Sequence, residues 1–96
     1  PVDGIYAAVT RRTLDGANPE GWVATEKVTV EQALHAYTTV GAYASFEEDL
    51  KGMIKPGMLA DMVLLDRDLT TIDPNSIRDA KILVTAVGGK IVFTDK

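Results

Sequence analysis

Lys51-Gly52-Met53-Ile54-Lys55-Pro56-Gly57-Met58-Leu59-Ala60-Asp61-Met62-Val63-Leu64-Leu65-Asp66 is the stretch in which the chain changes from a helical to an extended pattern. Pro56 is preset for the first corner of a turn, and Gly57 is free to take a positive φ at the second. Met62 to Leu65 is an apolar run of strand length bounded by Asp61 and Asp66, which predicts a strand over Ala60 to Asp66. The residues before the turn, Gly52 to Lys55, are expected to form a strand as well. Everything before Lys51 reads as α and everything after it as β.

Downstream, Arg67 to Ser76 contains Asp73-Pro74-Asn75 and reads as a loop. Lys81–Val87 and Lys90–Thr94 are rich in β-branched residues and are separated by Gly88-Gly89. That pair signals a hairpin, because both corners of the favoured two-residue turn need positive φ. Upstream, Gly4 to Thr13 carries Ile5, Ala8 and Val9 at helical spacing, and no breaker intervenes before Asp15-Gly16. Asp15 to Lys27, with Gly16, Asn18, Pro19 and Gly21, is expected to be a surface loop anchored by Trp22. Thr29-Val30-Glu31-Gln32 matches a capping box, and Val30, Ala33, Leu34 and Tyr37 continue it as one apolar stripe. A break is expected at Gly41, followed by a short helix through Ala42, Tyr43 and Phe46 that ends in Glu47-Glu48-Asp49.

Bulk composition narrows the classes of function. In 96 residues, 46% are hydrophobic and 25% charged, the balance of a small globular domain. No apolar run approaches the roughly 20 residues of a membrane span. The net charge of -4 and the scattered Lys and Arg argue against a nucleic-acid partner and against anionic lipid. There is no Cys, so disulfides and thiolate metal sites are excluded, and a cytoplasmic location is expected. The first residue is Pro1, and the chain is expected to be part of a longer polypeptide.

Lys51 to Asp66 closely resembles the G-x-I-x-P-G-x-x-A-D-hydrophobic-D segment near the end of amidohydrolase-superfamily enzymes such as dihydroorotases, urease-like hydrolases and imidazolonepropionases. Gly4 to Arg11, the Glu31 to Thr38 helix, Tyr43 to Glu47 and Val87 to Phe93 look like the branch that contains N-substituted formamide deformylases. The resemblance implies an α+β piece: residues 1–50 as helices from the end of a (β/α)8 barrel, and residues 51–96 as strands and hairpin of the composite β-sandwich beside it. It implies a parent enzyme that hydrolyses non-peptide C-N bonds of amides or formamides with one or two divalent metal ions, zinc above all. Such a metal polarises the carbonyl and supplies hydroxide from bound water. The His-x-His pair of the family has no counterpart, since His35 is the only histidine. The family's ligand Asp precedes a segment resembling Pro1-Val2, so Asp3 does not match its place.

No catalytic, cofactor-binding or metal-binding residue is therefore assigned, and this chain alone is expected to be inactive. His35 has no second ligand at metal-binding spacing. Asp61 is read as positional, accepting backbone amides where the chain enters the strand. Lys90, beside Gly88-Gly89, could mimic a swinging-arm lysine, but it reads as a solvated strand-start residue. The glycine pair has no helix N-terminus behind it for a phosphate. Tyr6, Trp22, Tyr37, Tyr43 and Phe46 are read as core or interface rings, and the Gly16 to Trp22 loop is the better candidate for a pocket wall. The alternative from another class is a stand-alone α+β module that binds a partner or itself through its strands. Either way, Met62, Leu64, Ile82, Val84 and Ile91 would have to find cover elsewhere. The isolated chain is therefore expected to dimerise or assemble further; light scattering behind size exclusion that shows a stable dilute monomer would count against this.

Overall fold

The computed structural model describes residues 1–95. It is an α+β arrangement with a three-stranded antiparallel sheet of order β1-β2-β3, with β1 at Met62–Leu65, β2 at Ile82–Val87 and β3 at Lys90–Thr94; helical segments precede β1, and one more lies between β1 and β2. The chain forms two compact units.

The first unit comprises Pro1–Leu34 and Asp68–Ala80. Helix α1, Val2–Thr10, packs on a 3-10 helix at Pro74–Asp79. Its buried residues are Ile5, Tyr6, Val9, Thr10, Ala33, Leu69 and Ile77, with Ile77 completely enclosed. A buried aliphatic or aromatic side chain of this kind contributes roughly 1.5 to 3 kcal/mol, so this cluster holds the unit. α1 stops three residues short of the expected Thr13. Arg11 turns left-handed at φ 56°, and the Thr10 hydroxyl donates to the Tyr6 carbonyl at 2.7 Å while accepting the Arg12 amide at 3.2 Å. The 3-10 helix lies partly in the span read as loop. Its start was legible: the Asp73 carboxylate caps the Asn75 amide at 2.8 Å, and Pro74 supplies the preset φ of a first helical residue.

The capping box is realised in both directions before α2, Val30–His35. Thr29 Oγ1 accepts the Gln32 amide at 3.0 Å, and Gln32 Oε1 accepts the Thr29 amide at 2.9 Å. Ala33 is buried and Leu34 half-buried, as the stripe requires. Tyr37 falls off it and is 52% exposed. The cause is a π turn over Ala36–Val40, whose extra residue per turn changes the phase of the stripe.

The second unit comprises His35–Arg67 and the strands from Lys81 on. Gly41 does not break the helical path: it keeps helical angles and opens α3, Gly41–Ala44. The stop comes at Phe46, which is left-handed at φ 62°. Gly52–Lys55 is not a strand. Gly52 sits at φ 105° with its α-carbon pressed against Ala42, where an added Cβ would come within 2.9 Å of the Ala42 Cβ. That close approach bends the segment onto the helical turns instead of pairing it.

β1 pairs with β2 through Met62↔Ala86, Val63↔Thr85, Leu64↔Val84 and Leu65↔Ile82. β2 pairs with β3 through Val84↔Thr94, Thr85↔Phe93, Ala86↔Ile91 and Val87↔Lys90. Gly88 and Gly89 take φ of 59° and 82°, as the hairpin turn demands. Two aspartates tie β1 to the ends of β2. Asp61 Oδ1 accepts the Gly88 amide at 2.7 Å, and the Gly89 amide donates to the Ala60 carbonyl at 3.0 Å. At the other end, Asp66 Oδ1 accepts the Lys81 amide at 2.9 Å, and the Asp66 amide donates to the Lys81 carbonyl at 3.0 Å.

Paired residues share a face of a sheet. One face therefore carries Met62, Leu64, Val84, Ala86 and Ile91 with Thr94, and the other carries Val63, Thr85, Val87 and Phe93 with Lys90. Both are predominantly apolar, and β1 and β3 leave much of them open: Leu64 is 57% exposed, Ile91 60%, Val63 50% and Phe93 46%, while Ile82 to Ala86 of β2 are half-buried. Among the described residues, Ala42 is the only buried one in this unit.

The two clamps respond differently to substitution. Asp61→Ala leaves the Gly88 amide to water and is expected to cost about 0.5 to 1 kcal/mol, with exchange speeding up first at the hairpin amides. The Asp66 carboxyl is held below its ordinary value by the Arg67 side chain first and the Lys81 amide second. A lowered folded value means its stabilisation is present above the ordinary carboxyl value of 3.8 and is lost as pH falls through the folded value. Urea midpoints should accordingly drop less steeply in Asp66→Asn than in the wild type as pH is lowered below about 4. Parallel acid limbs would contradict the assignment.

Candidate functional site

The first unit has an open recess of about 600 Å³ lined by Asp3, Tyr6, Arg12, Leu14 and Asp15 among others. Its walls are α1 and the segment after it, and its charged groups are largely engaged. Arg12 Nη1 donates to Asn75 Oδ1, although its Nε is buried without a partner. Arg78 Nη1 donates to the Leu14 carbonyl at 2.8 Å, and its guanidinium lies 5.6 Å from the centre of the Tyr6 ring. Asp15 accepts the Thr13 hydroxyl and, at 2.9 Å, the Ala17 amide; the hydroxyl, then the amide, hold its carboxyl below the ordinary value. These contacts close turns and fasten the 3-10 helix to α1. They present no nucleophile beside a base.

The remaining singled-out residues do not converge either. Asp3 is exposed in the first turn of α1, and His35 is exposed at the end of α2. No group of three or more His, Cys, Asp or Glu that could hold a metal ion occurs among the described residues. A zinc ion therefore has no fitting ligand set within them, since zinc sites take three or four such donors. Asp61 accepts a backbone amide, as expected of it, but the amide is that of Gly88, 27 residues away in the hairpin turn, and not one of its own turn. Amide acceptance was legible from residue type, but the partner needed the fold. Lys90 is exposed at the start of β3.

Of the five rings, Tyr6 alone is buried, at 2% exposure. Trp22 anchors its loop by backbone and not by burial. Its amide donates to the Arg11 carbonyl at 2.8 Å, Arg11 Nε donates to the Trp22 carbonyl at 2.9 Å, and the guanidinium sits 5.2 Å from the ring centre. Gly21 is required there, because a Cβ would come within 2.6 Å of the Thr10 carbonyl oxygen. The indole itself stays 64% exposed; Tyr37, Tyr43 and Phe46 are exposed as well. No helix is long and apolar enough to cross a membrane among the described residues.

Comparison with known proteins adds what the geometry lacks. The chain is 35% identical over 93 residues to N-substituted formamide deformylase of Arthrobacter pascens, covering 97% of this chain and 17% of that protein. It is 31% identical over 93 residues to YtcJ of Bacillus subtilis (strain 168), provisionally named an amidohydrolase, covering 97% of this chain and 18% of that protein. It is likewise 31% identical over 93 residues to the protein LONG AFTER FAR-RED 3 of Arabidopsis thaliana, with 97% of this chain and 15% of that protein covered. The chain thus spans less than a fifth of the length of these relatives. No solved structure matches it at comparable stringency. The family model described as Amidohydrolase family matches residues 1–93, so nearly the whole chain carries the pattern, and the chain belongs to the amidohydrolase family.

Proposed function

We propose that this chain is the carboxy-terminal structural part of a metal-dependent amidohydrolase that hydrolyses non-peptide C-N bonds of amides or formamides. The observation that carries the reading is the family match over residues 1–93, together with 35% identity to a formamide deformylase of which the chain covers only 17%. Residues 1–50 would supply helices at the end of the (β/α)8 barrel, and residues 51–96 would supply strands of the composite β-sandwich. Apolar residues on both faces of the sheet favour a place inside a larger body, where each face can be covered.

A divalent metal, zinc by preference, belongs in this reading to the longer polypeptide. Its ligands would come from outside these residues, since the one histidine and the dispersed carboxylates here cannot assemble a site. Residues 1–96 would act by packing: their apolar sheet faces join the rest of the polypeptide, or join second copies when the piece is isolated. Neither nucleic acid nor membrane is needed as a partner, and a cytoplasmic location fits the cysteine-free composition. The alternative of a stand-alone binding module is not favoured by the family match.

The test is to express the longer coding sequence and the 96-residue piece side by side on a panel of N-substituted formamides and simple amides. The longer protein is expected to hydrolyse at least one of them and to lose that activity on chelation. The piece alone should show no turnover and no stoichiometric zinc. Amide cleavage by the purified piece, with contaminating hydrolase removed, would overturn the reading.

A further inference from the structure

We draw no further inference here: the strongest candidate, the open recess of the first unit between α1 and the segment after it, carries none, because the orphaned Arg12 Nε is buried away from solvent and so from a ligand, and nothing in the structure shows what covers the recess's mostly apolar wall.

Discussion

An apolar sheet with water on both faces is the constraint from which the rest of this structure follows. β1, β2 and β3 pair in a defined register, yet Leu64 and Ile91 on one side and Val63 and Phe93 on the other remain about half exposed. Backbone pairing alone contributes little net free energy, because the unfolded chain bonds equally well to water. A three-stranded sheet needs a buried face to be stable, and this unit buries only Ala42 among its described residues. The first unit is the opposite case. Ile5, Tyr6, Val9, Leu69 and Ile77 enclose one another, and the polar contacts of Arg12 and Arg78 fasten its segments around them. The chain thus joins one unit that has a core to one that lacks it.

The contrast also explains why so many well-made local features coexist with so little chemistry. Asp61, Asp66, Asp15 and Asp68 all use their carboxylates on backbone amides, and Asp68 adds the Thr70 hydroxyl at 2.6 Å. Carboxylates spent on turns and strand ends are positioned for register and not for ligand exchange. Membership of the amidohydrolase family gives these features a context: nearly the whole chain carries the family pattern, on less than a fifth of the length of its relatives.

How much was legible in the sequence depended on whether a feature is local. The capping box at Thr29 and Gln32 and the hairpin at Gly88-Gly89 were readable because every partner lies within a few residues. The β1 run was readable from its length and its bounding aspartates, but the amide partner of Asp61 was not, since the fold brings it from the hairpin. Gly41 and Gly52 were misread for the same reason in opposite senses. Gly41 stays helical because its neighbours sustain the path, whereas Gly52 is bent by contact with Ala42, which no local pattern announces. The π turn at Ala36–Val40 gave no signal, and it moved Tyr37 off the expected stripe. Phe46 was hidden because propensity places glycine at that corner. For the candidate site, residue type announced that the Asp61 carboxylate would accept backbone amides, and nothing local could show that Arg12 and Arg78 would fasten the first unit.

The claim that bears everything else is that the sheet's unit supplies no covering layer from its own described residues. Hydrogen exchange at the β2 amides, Ile82 to Val87, compared between the dilute 96-residue chain and the longer polypeptide, tests it most directly. Slow exchange in the longer polypeptide and fast exchange in the dilute piece is the predicted result. Equally slow exchange in a dilute, monomeric piece would contradict the account.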